Sequence, residues 1–342
     1  MFGRKKSTVG LDIGSSSIKV AEIVQDKGGD RLVNYGISEP LSEAIVDGEI
    51  MDRQMVHEAI TNLIESRQIR NKNVVTAVSG RAVIVKKILM DRLSEEDAKE
   101  AIQWEAEQHV PYDINDVSLD FQIINPNIDQ KKMQVLLVAA KKDMIANHAD
   151  IIKDAGLTPT IIDVDSFAIQ NAIEANYEFI PGETIALVNI GAEITNLNIV
   201  RNQTPHFTKD LSVGANSFVE GIQRKYNVSQ AEALGALRGR GEGAIDVPSI
   251  VQATCEDLSV QIDRAIAYLR SAGDAERIDR ILISGGSARV PGLAEFLNAR
   301  HQVPVEIVNP LQRLLVDPNL FDGDSPDGVG PVLTVAIGLA LR

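Results

Sequence analysis

Short apolar runs alternate with amphipathic stretches along this chain, and the alternation predicts an α/β protein. Residues 9–13 and 18–24 are apolar runs around a Gly-Ser turn, which is typical of a β-hairpin, and residues 31–37 predict a third strand. Residues 52–69 carry apolar side chains at helical spacing, and residues 74–78 are a short β-branched run. Strands, a helix and a further strand in this order indicate stacked layers of sheet and helix.

A smaller α+β unit is predicted between residues 82 and 157. Strand-like and helix-like segments follow one another through this range. Ser94, with Asp97 three residues later, predicts the N-cap of its first helix, and Gly156 predicts the end of its last helix. Trp104, on the first of these helices, is interpreted as a packing anchor, with a contact to a partner as the alternative.

The second half of the chain repeats the opening hairpin. Residues 185–200 place Asn189 and Gly191 at the positions that Asp12 and Gly14 hold in the first hairpin. Two such hairpins at matching offsets suggest an internal duplication. The other elements predicted in this half are a strand leading into a helix (160–177), a helix from Ser229 to Gly239, a long helix (248–272), a strand, Gly-Gly turn and helix (280–297) and a final apolar helix (332–341).

Composition and charge narrow the class of protein. At 342 residues the chain is long enough for two or more packed units. A net charge of −14 opposes binding to nucleic acid and to an anionic membrane surface. The single cysteine, Cys255, excludes an internal disulfide, fits a reducing cytoplasm and is predicted to be buried on a helix. The histidines lack the spacing of a zinc site, and no apolar run approaches the ~18 residues of a membrane helix.

Three turns that contain glycine each follow a buried strand, and together they predict a nucleotide site. Glycine lets the backbone approach a phosphate closely, and successive N–H groups can form a nest for an anion. Asp12 would repel a bare phosphate but can hold a hydrated Mg²⁺, while Lys19 supplies a positive charge. Each turn alone could equally be a plain tight turn.

The chain resembles the actin-like ATPase superfamily in five motifs. VGLDIGSSSIKV resembles the phosphate 1 motif, and LVNIGAEITNLNIV resembles phosphate 2. ILISGGSARVPGL resembles the adenosine motif, and DVDSFAIQNA and VLTVAIGLAL resemble the two connecting helices. The resemblance implies an α/β, ribonuclease-H-like fold of two lobes that close on Mg-ATP, with a small α+β insertion like the 1C (SHS2-type) subdomain of FtsA.

The resemblance also implies a role for each matching residue. Asp12 would hold Mg²⁺ through water, and Asp165 would orient an attacking water. The other positions implied to contact ATP are Gly14, Ser15, Ser16, Ser17 and Lys19 from the first lobe, Asn189, Gly191, Ala192 and Thr195 from the second, Gly214 and Asn216 along the cleft, Glu232 at the ribose or base, and Gly285, Gly286 and Ala288 at the adenosine.

Two departures from the superfamily pattern affect the expected activity. Asn189 stands where phosphate 2 usually has an aspartate, and Gly235 stands where relatives often have a lysine. Loss of the carboxylate weakens control of metal and water, on which phosphoryl transfer depends. ATP binding with slow or absent hydrolysis is therefore expected.

Within the superfamily, the GLDIGSSSIKVAEI and AGLTPTIIDVDSFAIQNA segments are most similar to the PilM family of type IV pilus assembly proteins. That resemblance implies a cytoplasmic scaffold that recruits the N-terminal tail of a PilN-type inner-membrane protein, with a groove between insertion and first lobe as one place for it. The membrane would be reached only through this partner, and self-association is possible. The alternatives are an FtsA-like filament protein, which would continue beyond VLTVAIGLALR to a membrane helix, and a sugar-kinase-like enzyme.

The resemblance further divides the chain into four parts. The expected boundaries are 1–81, 158–180 and 325–342 for the first lobe (1A), 82–157 for the insertion (1C), 181–213 and 271–324 for the second lobe (2A), and 214–270 for its subdomain (2B).

Overall fold

The computed structural model describes residues 6–41, 43–238, 245–273, 277–321, 323 and 325–342. The strands are β1 (Lys6–Ile13), β2 (Ile18–Asp26), β3 (Gly29–Ile37), β4 (Ile45–Val46), β5 (Glu49–Ile50), β6 (Asn73–Val78), β7 (Val83–Asp91), β8 (Val117–Asn125), β9 (Lys132–Lys141), β10 (Thr158–Val164), β11 (Thr184–Ile190), β12 (Thr195–Arg201), β13 (Thr204–Leu211), β14 (Arg280–Ser284), β15 (Val305–Ile307) and β16 (Leu315–Val316). The helices are α1 (Arg53–Ser66), α2 (Glu95–Glu107), α3 (Lys142–Asp154), α4 (Asp165–Asn176), α5 (Ala215–Tyr226), α6 (Gln230–Leu237), α7 (Val247–Ser271), α8 (Leu293–His301), α9 (Pro326–Val329) and α10 (Thr334–Ala340).

The first lobe is built on a six-stranded sheet in the order β10-β6-β1-β2-β3-β16. Antiparallel hairpins join β1 to β2 and β2 to β3, while β6 and β10 run parallel to β1. Apolar side chains of α1 and α3 pack with one face of this sheet. On the other side, α4 and α10 pack against the sheet and against each other. The sheet is therefore covered on both faces, as its central apolar strands require.

The second lobe contains a five-stranded sheet in the order β13-β12-β11-β14-β15. Its largest apolar cluster joins this sheet to α5, α6, α7 and α8. A second cluster includes Leu187 and Leu282 of this sheet, Val75 of the first-lobe sheet, and Ile169 and Leu339 of α4 and α10. Helices α4 and α10 thus lie between the two sheets. The glycine turns follow strands of both sheets, and the sheet edges that carry them face a common cleft.

The inserted unit is smaller than the sequence predicts. Its sheet has the order β7-β9-β8, and its apolar core is shared by these strands and α2. Helix α3 instead contributes Ile151 and Ile152 to the core of the first lobe. The predicted boundary of 82–157 therefore extends too far, because α3 buries its apolar face against the first lobe.

A second boundary also differs from the prediction. Leu315 and Val316 form β16, which pairs with β3 in the first-lobe sheet. Phe321 packs against Tyr35 in the same lobe, with ring centroids 5.2 Å apart. The segment from 311 to 321 thus belongs with the first lobe, although the sequence places it in 271–324 of the second. The remaining divisions stay as proposed.

Most predicted elements are confirmed, and one interpretation is wrong. Ser94 caps α2 by accepting from the Asp97 N–H, and Gly156 follows α3 with φ of 74°. Cys255 is buried on α7. Trp104, however, is 72% exposed, because it lies on the face of α2 opposite Ala98, Ile102 and Ala106. It is not a packing anchor. Gly239 lies outside the described residues.

Candidate functional site

The first hairpin places a carboxylate and an ammonium side by side at its tip. Asp12 and Lys19 are opposite each other in the β1–β2 register, and their charged groups lie 3.3 Å apart. Asp12 is only 8% exposed. A Cβ on Gly14 would lie 2.9 Å from Lys19 Nζ, so glycine leaves the room that the ammonium occupies. Ser15, Ser16 and Ser17 complete the four-residue turn between β1 and β2.

The second hairpin repeats this geometry with amides. Asn189 is opposite Asn196 in the β11–β12 register, and like Asp12 it is the penultimate residue of its strand. Its Nδ2 donates to Asn196 Oδ1 at 3.0 Å, and its Oδ1 accepts from the Ser284 hydroxyl at 3.0 Å. Asn189 therefore ties β11, β12 and β14 together. A carboxylate at this position would lose the donor to Asn196.

The amide chain continues from Asn196 to the first lobe. Asn196 Nδ2 donates to Asp210 Oδ1 at 2.8 Å, and the Gly80 N–H donates to Asp210 Oδ2 at 2.6 Å. Burial raises the pKa of Asp210, while the Gly80 N–H and the Asn196 amide oppose that rise. The cleft is thus spanned by one continuous run of hydrogen bonds from Ser284 to Gly80.

Two further hydrogen bonds join the lobes near Gly80. The Asp47 N–H donates to Glu193 Oε2 at 3.0 Å, and Arg81 Nη2 donates to the Ser212 hydroxyl at 3.1 Å. Lys87 of the insertion also contacts His206 of the second lobe, with Nζ and Nδ1 3.0 Å apart. Arg81 and Lys87, at the entrance to the insertion, are therefore engaged with the second lobe.

Asp165 lies between the first hairpin and Asp210 of the second lobe. It is the first residue of α4, and its carboxylate accepts a hydrogen bond from Ser79. Burial, and next the charge of Asp12, raise the pKa of Asp165 to about 7. The nearby charges of Asp210 and Lys19 act in opposite directions on that pKa. The charges of Asp12, Asp210 and Lys19 therefore all act on the Asp165 carboxylate.

This donor set fits a phosphate only in company with a cation. The carboxylates of the cleft repel a bare phosphate, whereas hard oxygen ligands suit Mg²⁺, which keeps several of its waters. No group of three or more His, Cys, Asp or Glu side chains able to hold a metal converges within the described residues. A magnesium ion here would accordingly be held largely through water, with the Asp12 carboxylate beside the 14–17 turn.

In the second lobe, the backbone of the glycine turns packs closely against neighbouring backbone. A Cβ on Gly214 would lie 2.5 Å from the Ala192 carbonyl oxygen, and the Ala215 N–H donates to Gly191 O at 2.9 Å. The Asn216 N–H donates to Ala192 O at 2.9 Å. The start of α5 is thus fixed directly on the 191–194 turn.

At the predicted adenosine position, the backbone approach is equally close. Gly285 has φ of 90°, where L side chains are strained, and a Cβ there would collide with the backbone of Ile190. A Cβ on Gly286 would have open space around it. Ala288 is 1% exposed and belongs to the second-lobe core.

Two other predicted contacts have local partners. The Thr195 hydroxyl is buried and donates to Val213 O at 2.6 Å. The exposed Glu232 accepts from the Ser229 N–H and hydroxyl in a capping box, and these bonds lower its pKa. In this conformation, both side chains stabilise the protein locally.

Sequence reasoning missed Ser79, Asn196 and Asp210, which line the same cleft. Ser79 directly follows β6 and carries no signal of its own in the sequence. Asn196 was findable from the register of the second hairpin, since it pairs with Asn189. Asp210 carries no local signal, because its role depends on Gly80 from the other lobe.

A groove of about 530 Å³ lies between the insertion and the first lobe. One wall is β8, an edge strand of the insertion sheet, and the other is β10, an edge strand of the first-lobe sheet, with α4 beside it. Its lining mixes polar side chains with apolar ones, and Leu119, Phe121, Ile161, Ile162 and Phe167 are among the apolar residues. Two strand edges facing one space offer unpaired backbone groups to an extended chain.

Comparison with known proteins identifies relatives over nearly the whole chain. The model of the family described as type IV pilus assembly protein PilM matches residues 10–342. A chain in a solved PilM-PilN type IV pilus biogenesis complex is 27% identical, with a TM-score of 0.86 and coverage of 99% of this chain and 99% of that one. The cell division protein FtsA of Streptococcus pneumoniae is 23% identical over 91% of this chain and 77% of its own length.

More distant solved structures share the fold. MreB5 of Spiroplasma citri bound to ADP is 13% identical, with a TM-score of 0.55 over 97% of this chain and 94% of that chain. EutJ of Carboxydothermus hydrogenoformans is 14% identical, with a TM-score of 0.60 over 99% and 90%. The predicted actin-like fold with an FtsA-like insertion is thereby confirmed. From the match over residues 10–342, the chain belongs to the PilM family of type IV pilus assembly proteins.

Proposed function

We propose that this chain is an ATP-binding scaffold of the type IV pilus inner-membrane assembly complex, and that it recruits the cytoplasmic N-terminal tail of a PilN-type membrane protein. The groove between β8 and β10 carries the proposal, because two strand edges and a mixed lining of apolar and polar side chains suit an extended peptide. Membership of the PilM family and the likeness to a chain of a PilM-PilN complex support a PilN-type partner.

The cleft between the lobes is the proposed site of Mg-ATP. The likeness to an MreB5 structure bound to ADP supports a nucleotide there. Asp12, Lys19 and the 14–17 turn would hold the phosphates and a hydrated Mg²⁺, and the Gly285-Gly286 turn would lie against the adenosine. Bound Mg-ATP would supply the negative charge that Lys19 and the backbone N–H groups of the turns attract.

Turnover at this site is proposed to be slow or absent. Asn189 is a neutral amide and offers no carboxylate to a metal or to water. Its amide group is also already hydrogen-bonded to both Asn196 and Ser284. Asp165 is left as the residue that could orient water. A turnover rate in the ordinary enzyme range of roughly 1–100 per second would contradict this part of the proposal.

The partner would also supply the link to the membrane. Among the described residues, no helix is both long and apolar enough to cross a bilayer. The net charge of −14 disfavours direct binding to anionic lipid. We therefore place the protein on the cytoplasmic face of the inner membrane, held there by the tail of its partner.

The experiment is a titration of a fluorescent peptide, with the N-terminal cytoplasmic sequence of the PilN-type protein from the same organism, into the purified chain with and without Mg-ATP. Saturable binding is expected. Ile161→Asn, which replaces an apolar side chain of the groove lining by a polar, uncharged one, should weaken binding about tenfold. Ile180→Asn is the control, because Ile180 is 64% exposed outside the groove. Absence of binding, or equal loss in both variants, would contradict the proposal.

The likeness to FtsA keeps a filament-forming protein as the second candidate. Its distinguishing property would be ATP-dependent sedimentation of the chain alone. Pelleting with Mg-ATP, without any peptide binding, would favour that candidate.

A further inference from the structure

A buried carboxylate with an unpartnered oxygen lines the groove between the insertion and the first lobe. Asp163, near the end of β10, is 7% exposed and is one of the residues lining the groove. Its Oδ1 accepts from the Val164 N–H at 2.9 Å. Its Oδ2 is buried and makes no hydrogen bond within the described part of the chain. A carboxylate left in this state carries a free-energy cost that a suitable partner would remove.

Arg342 approaches Asp163 without completing its bonding. Arg342 Nη1 lies 3.3 Å from Asp163 Oδ2, close enough for charge attraction but not aligned as a hydrogen bond. The Arg342 side chain is 45% exposed, so solvent weakens the attraction. Burial raises the pKa of Asp163, the Val164 N–H and then Arg342 oppose that rise in part, and Asp120 on the facing strand adds the smallest contribution, which is upward. Asp163 is therefore short of positive charge.

The other charged residues that line the groove are mostly acidic, as Asp163 is. Asp120 and Glu174 line it along with Asp163, whereas Arg342 is its one basic residue within the described chain. Glu174 is partly buried, and burial raises its pKa. Asn171 Nδ2, also on the lining, is a buried donor with no partner among the described residues. The groove thus offers a buried acceptor and a buried donor, in an acidic surround.

We propose that Asp163 determines the specificity of this groove by pairing with a cationic group of the bound peptide, an arginine, a lysine or the terminal ammonium. The Asn171 amide then donates to a peptide carbonyl, and the apolar lining takes the uncharged side chains. This inference rests on the proposed function, since it names the chemistry of the peptide that the groove selects. An N–H⁺ donor on Asp163 Oδ2 would form a charge-assisted hydrogen bond that the free protein lacks.

The test uses the wild-type chain and a series of peptides, each with one positive charge removed. Starting from the PilN-type N-terminal peptide, each arginine is replaced by citrulline, each lysine by acetyl-lysine, and the terminus by an acetylated one. One of these changes should weaken binding about tenfold or more. If every neutral peptide binds within twofold of the parent, the role of Asp163 is overturned while the proposed function stands.

The protein variant Asp163→Asn completes the test. It should bind the parent peptide about as weakly as the wild type binds the sensitive neutral peptide, and it should bind both peptides equally. Asp116→Asn, an exposed change outside the groove lining, should bind the parent like the wild type. Full affinity in a folded Asp163→Asn variant would overturn the inference. Failure of all peptides to bind the wild type would overturn the proposed function, and this inference with it.

Discussion

At the scale of single residues, the cleft is defined by how two equivalent positions differ. Asp12 and Asn189 are both penultimate in the first strand of a hairpin, yet Asp12 pairs with Lys19 and Asn189 with Asn196. The sequence predicts the equivalence, because the spacing around Gly14 and Gly191 is the same. It does not predict Ser79 or Asp210, because their positions depend on contacts between the lobes.

The raised pKa of Asp165 predicts a pH-dependent stability of the nucleotide-free protein. Burial and Asp12 raise the pKa from the usual 3.8 to about 7, so the folded state retains a proton that the unfolded chain releases. The stability linked to that proton is present at low pH and is lost as pH rises towards 7. Asp165→Asn removes the ionisable group and should gain roughly 2–3 kcal/mol relative to the wild type between pH 5 and pH 8.

Thermal unfolding at the two pH values measures this difference. Asp116→Asn is the control, because that carboxylate is exposed on the insertion. A stability difference between Asp165→Asn and the wild type that stays constant from pH 5 to pH 8 would contradict the assignment.

At the scale of elements, the sequence predicts the strands and helices well, but it does not predict which lobe or unit each of them packs against. The period of apolar residues identifies α3 as amphipathic, yet the same pattern would suit packing on the insertion or on the first lobe. Only the structure shows that Ile151 and Ile152 face the first lobe. Trp104 illustrates the same limit, since its position on α2 follows from the register of Ala98 and Ile102 with the insertion core.

The contact between α4 and α10 fixes the middle of the molecule. A Cβ on Gly338 of α10 would overlap the carbonyl oxygen of Ala168 on α4. Because backbone atoms cannot rotate away, Gly338→Ala should force the helices apart and lower the free energy of unfolding by about 1–3 kcal/mol.

A matched substitution separates this packing from helix propensity. Gly235 is also inside a helix, α6, but a Cβ there would meet no heavy atom within 4 Å. Gly235→Ala should raise the free energy of unfolding by about 0.5–1 kcal/mol. Chemical denaturation of both variants measures the effects, and a stabilised Gly338→Ala protein would show that the helices do not approach so closely.

At the scale of the whole molecule, one short segment links the groove to the cleft. Asp163 lies in the groove lining, while Asp165, two residues later, lies near the charges of Asp12, Lys19 and Asp210 in the cleft. Helix α4 continues from there, and its Gln170 lines the groove and donates to Gln203 O of the second lobe at 2.9 Å. A ligand in the groove and a ligand in the cleft would therefore both contact the end of β10 or helix α4. For this reason the peptide titration is carried out with and without Mg-ATP.

The place of this groove is predictable from the sequence, but its lining is not. The insertion point near residue 81 indicates that a second unit lies beside the first lobe. Strands β8 and β10 are edges of different sheets, so it is tertiary packing that makes them face each other across the groove. The unpartnered oxygen of Asp163 likewise appears only when Asp120 and Arg342 are placed around it.

The most direct test of the central claim is photo-crosslinking of the PilN-type N-terminal peptide to the purified chain. The peptide would carry a benzophenone side chain at successive positions, and mass spectrometry would locate each crosslink. Crosslinks are expected to residues 118–122 of β8 and 161–164 of β10, and unlabelled peptide should abolish them by competition. Specific crosslinks that map elsewhere, for example to the exposed face of α2 around Trp104, would contradict the groove as the binding site.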